Sequence, residues 1–367
     1  MSRQPGPPLQ LAIVGCGGAA VDVARAIDAS AQVTLVAVHD RDASRAEALA
    51  RPRSATVHRS LRVLLHDDRV DAVYVALPHD RLAPTAITAL RAGRDVLVEK
   101  PLAIRGASIA RVRAAAVASG RSVGVMFELR HVPTVAEAAS LINSGAIGRI
   151  RSIRIRTLID KPPTYWSSGP TGVVRDSWRG SEARAGGGVV VMNTIHQLDL
   201  VRAITGLRAN RVAAVTSRRV AGVEVEDAAV AVIDWGGGVL GSLVAAAHAP
   251  GASDDETIEI DGDGGAIRLG DPYADRPVLD RFLREPMGDD RARRWLRSAP
   301  PPSDPWLAAV DGFAAAVRAG QAPVPGIDDA EAALAIVLAI YRSARTGRFE
   351  NIRRSRDPLS RSGSPGG

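Results

Sequence analysis

Of the 47 lysine and arginine residues in this 367-residue chain, only Lys100 and Lys161 are lysines. Arginine stays protonated in proteins, whereas the compact ammonium of lysine can be tuned toward the neutral amine. A lysine kept in so arginine-rich a chain is therefore a candidate for chemistry. Lys100 lies in Glu99-Lys100-Pro101, directly after the apolar run Asp95 to Val98. Ligands of open α/β sheets gather at the carboxyl ends of strands, so Lys100 is read as a catalytic and substrate-binding residue. Lys161, in K-P-P-T-Y-W, equally suits a solvent-facing charge. The second candidate catalyst is His196, an imidazole able to take a proton near neutral pH. It follows Gly186 to Gly188, expected to let the backbone approach a ligand, and it precedes L-D-L-V-R-A-I. The competing reading is a packing histidine satisfied by Asp199, three residues on.

Further side chains could hold a substrate. Asn193 can donate or accept a hydrogen bond, and Tyr165-Trp166 with Trp178-Arg179 offer aromatic faces beside a cation. Such a wall suits a sugar or an anionic group, although core packing explains the tryptophans equally well. The histidines at 39, 58, 66, 131 and 248 are scattered, and no metal-ligand spacing occurs.

Residues 15–20 read G-C-G-G-A-A between an apolar run and a helical pattern. Gly15 permits a tight turn, Gly17 and Gly18 let the backbone approach a pyrophosphate, and Ala20 is small enough for close helix–strand packing. Asp40 lies 20 residues beyond Ala20, where a carboxylate would hydrogen-bond an adenosine ribose. The expected cofactor is NAD. NADP remains possible because Arg41 could offset the repulsion between Asp40 and a 2′-phosphate. Leu77-Pro78 and Glu99-Lys100, at the ends of two further strands, complete the expected dinucleotide contacts. Cys16 reads as a small loop residue, without a histidine partner to activate it.

These residues need a scaffold. Strand patterns at Gln10 to Val14, Val33 to Val38, Asp71 to Leu77, Asp95 to Val98 and Ser122 to Phe127 alternate with helical ones, including Leu82 to Ala92 and Ile104 to Ala118. That alternation predicts an α/β Rossmann domain, a doubly wound parallel sheet over residues 9–130. Beyond Pro133 the rhythm changes. Arginines alternate with isoleucines at Arg151 to Arg156, and strand patterns follow one another at Arg211 to Ser217, Ala228 to Asp234, Val239 to Ala246, Thr257 to Asp261 and Ala266 to Leu269. Residues 131–352 are thus expected to form an α+β domain with an open, largely antiparallel sheet, for substrate binding and oligomerisation, closed by helices at Trp306 to Ala319 and Ala330 to Ala344. Residues 1–8 and the Arg/Ser/Gly segment 353–367 are expected to be disordered.

Composition excludes other classes. No apolar run approaches the roughly 20 residues of a membrane span, and Met1 to Pro8 lacks the apolar centre of a secretory signal. One cysteine permits no internal disulfide, which fits a reducing cytoplasm. The net charge of +7 owes much to the tail, where seven arginines between Arg342 and Gly367 face only Glu350 and Asp357. The folded body is nearly neutral, so no nucleic-acid partner is expected.

The chain resembles the Gfo/Idh/MocA family of dinucleotide-dependent oxidoreductases along nearly its whole length. The likeness is carried by G-C-G-G-A-A at 15–20, A-L-R-A-G-R-D-V-L-V-E-K-P at 89–101, I-N-S-G-A-I-G-R-I at 142–150, G-G-G-V-V-V-M-N-T-I-H-Q-L-D at 186–199 and Y-R-S-A-R-T-G-R at 341–348. It implies hydride transfer between a nicotinamide and a carbinol or carbonyl carbon of a sugar, cyclitol or related polyol. It also implies a homodimer or homotetramer assembled through the second-domain sheet. Lys100 then matches the family's catalytic or substrate-polarising lysine, and His196 its acid/base histidine. Two positions depart from the pattern. Met192 stands where the family often carries a carboxylate four residues before the histidine, and Leu82 where many members carry a histidine, with His79 and Asp80 nearby. Two alternatives therefore stand beside the dehydrogenase: a cofactor-recycling glycosidase or epimerase, and a dinucleotide-binding protein without turnover.

Overall fold

The computed structural model describes residues 7–169, 172, 176–220, 222–252, 255–283 and 295–353. Of the two segments expected to be disordered, all but residues 7, 8 and 353 lie outside the described residues. The first sheet is built from β1 (Leu9–Val14), β2 (Val33–His39), β3 (Thr56–Val57), β4 (Ala72–Val75), β5 (Asp95–Glu99) and β6 (Val123–Met126). All its pairings are parallel, in the order β3-β2-β1-β4-β5-β6, so the strand order reverses between β1 and β4. Ligands of doubly wound sheets bind at that reversal. The intervening helices are α1 (Gly18–Ala29), α2 (Ala43–Ala50), α3 (Leu61–Leu65), α4 (His79–Arg91) and α5 (Gly106–Ser119). The central strands are buried on both faces, as the unbroken apolar run of β4 requires. Two short elements, β3 and α3, are too brief for their periodicity to register in the sequence. Helix α4 starts at His79, three residues before the expected Leu82, because Pro78 fits the position before the first turn and Asp80 suits its positive end.

The second part contains α6 (Pro133–Asn143), β7 (Ile150–Leu158), α7 (Tyr165–Ser168), α8 (Glu182–Ala185), α9 (Ile195–Thr205), β8 (Arg211–Ser217), β9 (Ala228–Asp234), β10 (Leu240–Ala246), β11 (Asp255–Gly262), β12 (Gly265–Leu269), β13 (Leu279–Leu283) and β14 (Leu296–Ser298). Then come α10 (Pro305–Arg318), α11 (Ile327–Thr346) and β15 (Glu350–Asn351). The nine-stranded sheet runs β14-β13-β12-β11-β7-β10-β9-β8-β15. It is antiparallel except between β7 and β10, which run parallel. One face packs on α9 and α11, while Val215, Val230, Val232, Leu240 and Val244 stand exposed on the other.

Helix α10 does not close the second domain, where the sequence put it. Its Ala309, Val310, Phe313 and Ala314 are buried in one cluster with Leu9, Leu11 and Ile13 of β1 and Val23 and Ile27 of α1. The chain therefore returns to complete the first domain's core, and the range 131–352 includes one helix that belongs to the Rossmann layer.

Candidate active site

The sheet reversal opens into a cleft of about 530 Å³ running from the glycine loop to Lys100. Gly15 has φ of +92°, and a Cβ there would lie 2.2 Å from the Ala76 carbonyl oxygen, so only glycine fits where β1 passes β4. Helix α1 starts at Gly18 without a side-chain cap, which leaves its first N–H groups for an anion. Ala20 is fully buried under the helix, as the close packing demands. Asp40 Oδ2 accepts the Cys16 N–H at 2.8 Å, and its Oδ1 accepts from the Asp42 N–H and from Arg45 Nη2, each at 2.8 Å. Burial raises the Asp40 carboxyl, but the Arg45, Asp42 and Cys16 hydrogen bonds outweigh it and hold the group below the usual carboxylate range. Arg41, which the sequence left able to offset Asp40, instead reaches Asp176 at 2.9 Å, and Arg184 meets Asp176 at 2.6 Å. The cation on Asp40 is Arg45, which sequence spacing did not single out. The Cys16 thiol is buried and pushed up to about 12, by burial first and by Asp40 second, so it is inert.

Lys100 forms the inner end of the cleft. Its Nζ donates to the Met192 carbonyl at 2.5 Å. Burial lowers its pKa, against Glu99, Glu128 and Glu256, which raise it. Glu99 accepts from the Tyr74 hydroxyl at 2.5 Å. Met192 lies in a π-helical turn, Val190–Thr194, that leads into α9. Glu226 holds this turn, accepting from the N–H of Gly188 at 2.6 Å, the N–H of Val190 at 3.0 Å and the Tyr341 hydroxyl at 2.8 Å. The glycine triplet expected to approach a ligand packs against the protein itself. A Cβ at Gly186 would meet Ile104, one at Gly187 the Tyr341 hydroxyl, and one at Gly188 the Glu226 carbonyl.

His196 is only 3% exposed and is not on the cleft wall, which Lys100 and Met192 line. Asp199 does not satisfy it; that carboxylate is gripped by Arg130. Instead His196 Nε2 lies 3.9 Å from Glu128 Oε1, and Nδ1 is buried without a partner. Burial, seconded by the Lys100 charge, holds its pKa well below the ordinary value, so the imidazole is neutral. Glu128, from the turn Glu128–His131 beyond β6, accepts from the Tyr273 hydroxyl at 3.3 Å. The sequence reading missed both residues, although applying the strand-end argument to β6 as to β5 would have reached Glu128.

The aromatic candidates divide. Tyr165 and Trp178 line the cleft, with the Arg179 guanidinium 4.6 Å from the Trp178 ring and 5.5 Å from that of Tyr165. Lys161 Nζ stands 5.3 Å over the Tyr165 ring, so it faces this wall and not bulk solvent alone. Trp166, 2% exposed, packs edge-on against Tyr165 in the core. Asn193 is half-buried and off the cleft wall. His79 donates Nδ1–H to the Ala185 carbonyl at 2.8 Å and meets Trp178 edge-on. Among the described residues no cluster of His, Cys, Asp and Glu could hold a metal ion, and no helix is long and apolar enough to cross a membrane.

Comparison with known proteins decides the family. Residues 9–127 match the oxidoreductase family model described as an NAD-binding Rossmann fold, and residues 135–268 match the Gfo/Idh/MocA C-terminal domain. The chain belongs to the Gfo/Idh/MocA oxidoreductases. A 1-carboxy-3-chloro-3,4-dihydroxycyclohexa-1,5-diene dehydrogenase from Comamonas testosteroni is 30% identical over 279 residues, 75% of this chain and 66% of that relative. Inositol 2-dehydrogenase 2 from Saccharopolyspora erythraea is 27% identical over 344 residues, 92% of this chain and 94% of its own. The solved structure of levoglucosan dehydrogenase with NADH and levoglucosan superposes with a TM-score of 0.85 at 24% identity, covering 95% of this chain and all of that one.

This Gfo/Idh/MocA protein is thus an NAD(H)-dependent dehydrogenase or reductase acting on a CH–OH group. Its own residues fit the dinucleotide. The uncapped start of α1 would hold the pyrophosphate with its free N–H groups, and Asp40 Oδ2, which has a lone pair left beside the Cys16 N–H, would accept from a ribose hydroxyl.

Proposed function

We propose that this oxidoreductase transfers a hydride between NAD and a secondary carbinol or the matching carbonyl carbon of a sugar, cyclitol or related polyol. The observation that carries this reading is Lys100, a half-buried ammonium closing the same cleft that begins at the glycine loop. The Met192 carbonyl takes one of its three N–H groups, which leaves two for a substrate oxygen. Burial lowers the Lys100 pKa against the pull of Glu99, Glu128 and Glu256, the direction that a proton-exchanging amine requires. Bound NAD supplies the hydride acceptor. Tyr165, Trp178 and Arg179 form the polyol-binding wall, and Lys100, which lines the same cleft, exchanges the hydroxyl proton. Incubation with NAD and a panel of inositols, levoglucosan and related polyols tests it: release of NADH is expected, and neither NADH nor product across the panel sinks it.

One observation favours a second reading, in which the cofactor is recycled without release. Asp176 ties Arg41 of the first domain to Arg184 of the second across the cleft, a clasp suited to retaining the dinucleotide. Product formed without net NADH would decide for it. We also propose that the exposed valines of β8, β9 and β10 form the face of a homodimer or homotetramer. The protein is read as a soluble cytoplasmic enzyme without a nucleic-acid partner.

A further inference from the structure

A lysine ammonium rides on a flexible stem, so Lys100 meets a substrate oxygen only if something aims it. Among the described residues its hydrogen-bond acceptor is the Met192 carbonyl, at 2.5 Å. We infer that Glu226 is a positioning residue for the reaction at Lys100: with Tyr341 it fixes the turn that presents the Met192 carbonyl. This rests on the proposed reading of Lys100 as the group that exchanges the substrate proton.

The start of a helical segment leaves backbone N–H groups without partners inside it. Here four in a row are taken by two residues from distant parts of the chain. Glu226 Oε2 accepts the Gly188 N–H at 2.6 Å, its carbonyl oxygen the Val189 N–H at 3.1 Å, and its Oε1 the Val190 N–H at 3.0 Å. The Tyr341 hydroxyl, on α11, accepts the Val191 N–H at 3.2 Å and donates to Glu226 Oε1 at 2.8 Å. The next N–H, that of Met192, bonds back to the Gly188 carbonyl at 2.9 Å. The turn that follows is π-helical, a form that is rare and frequent at functional sites. The glycines serve this clamp. A Cβ at Gly188 would lie 1.7 Å from the Glu226 carbonyl oxygen, and one at Gly187 2.1 Å from the Tyr341 hydroxyl. Neither Glu226 nor Tyr341 lines the cleft, so both act through the turn.

A carbonyl that accepts from an ammonium favours its charged form, whereas burial favours the neutral amine. At Lys100 burial lowers the pKa, Lys161 adds to the lowering, and Glu99, Glu128 and Glu256 oppose it. His79 and His196, which also feel the Lys100 charge, are held neutral. If the clamp opens, the Met192 carbonyl leaves Nζ and the balance moves toward the neutral amine. Glu226→Gln opens it because an amide has a single acceptor oxygen, so its NH2 would face the N–H of Gly188 or Val190. Tyr341→Phe removes the hydroxyl between Glu226 and Val191 without changing any charge.

The chain's two lysines make the test direct. With isotope-labelled lysine, the NADH complex of the full chain gives two side-chain NMR signals, and Lys161→Arg identifies that of Lys100. The variants Glu226→Gln and Tyr341→Phe are first shown to bind NADH by fluorescence titration. Both should lower the Lys100 titration midpoint by about one pH unit, the scale of one hydrogen bond to a charged group. A midpoint unmoved in Tyr341→Phe overturns the inference whatever Glu226→Gln does, because a shift in Glu226→Gln alone would report the lost charge. A folded Glu226→Gln with an unmoved midpoint overturns it equally. With a polyol that the wild type oxidises, both variants should lower kcat by about tenfold to 10²-fold. Their pH profiles should move down with the Lys100 midpoint; a profile that stays while the midpoint moves overturns the link to the reaction. If no polyol is oxidised, the proposed function falls, while the lysine titration still decides whether Glu226 and Tyr341 position Lys100.

Discussion

Arg130 holds Asp199 through two parallel hydrogen bonds, Nε to Oδ2 at 2.6 Å and Nη2 to Oδ1 at 2.5 Å, and so ties the turn beyond β6 to helix α9. Asp199 is 1% exposed, and Arg130 also reaches Asp329 at 3.0 Å. Removing one partner of a buried ion pair leaves an uncompensated charge. Arg130→Met should therefore destabilise the protein by about 3–5 kcal/mol, measured by denaturant unfolding. A loss within the range of an exposed pair would mean that solvent reaches the site.

Lys100→Arg preserves charge but inserts a planar fork at the position proposed for the substrate oxygen and removes the deprotonatable amine. Turnover on a polyol should fall by about 10² to 10⁴. NADH affinity should change little, since the proposed phosphate site is the glycine loop, away from Lys100. Normal turnover would make the lysine structural.

The cofactor preference follows from Asp40. NADH should bind roughly tenfold more tightly than NADPH, about 1.4 kcal/mol. Because Arg45, not Arg41, neutralises Asp40, Arg45→Ala should weaken NADPH further, whereas Arg41→Ala should leave the ratio nearly unchanged. Fluorescence titration with both dinucleotides checks the order.

His79 gives a pH dependence of stability. Burial depresses its pKa from 6.5 to about 3, so it stays neutral in the folded chain. Below about pH 6.5 the unfolded chain takes up a proton that the folded chain refuses until about pH 3. Stability from this group is thus full above that window and falls through it as pH drops, by up to about 1.4 kcal/mol per pH unit. His79→Phe should flatten the acid side of a stability–pH curve relative to wild type; an unchanged slope would show that the imidazole is protonated in place.

The open sheet face supplies the last test. Val230 and Val232 are 51% and 47% exposed on β9, beside Val215 at 68% on β8. Light scattering should give a multiple of 38.5 kDa for the wild type, and Val230→Arg with Val232→Arg should reduce it to the monomer. A wild-type monomer at micromolar concentration rejects the interface.

The local patterns in the sequence were enough for the alternation of strands and helices, the glycine loop and the lysine at the end of β5. Each depends on neighbours along the chain: apolar period, a turn that needs glycine, a strand end. Pairings between distant segments were not legible. Nothing in F-E-L-R-H marks Glu128 as the neighbour of His196, and nothing in Asp199 shows that it serves Arg130. The parallel pairing of β7 with β10 likewise depends on how the intervening chain wraps. The glycine triplet was visible as a demand for space, but what fills that space, Tyr341 and Glu226, lies far along the chain.

The return of α10 to the first domain has a consequence for how the protein is made. Phe313 and Val310 cover apolar surface of β1 and α1 that would otherwise face water. As the chain leaves the ribosome, its first 130 residues emerge with one side of their core uncovered. They stay so until the helix ending at Arg318 has been synthesised. The amino-terminal domain is therefore not a contiguous stretch of the gene. A truncation at the apparent domain border, or a fusion that delays α10, should yield a sticky intermediate rather than a free-standing dinucleotide-binding module.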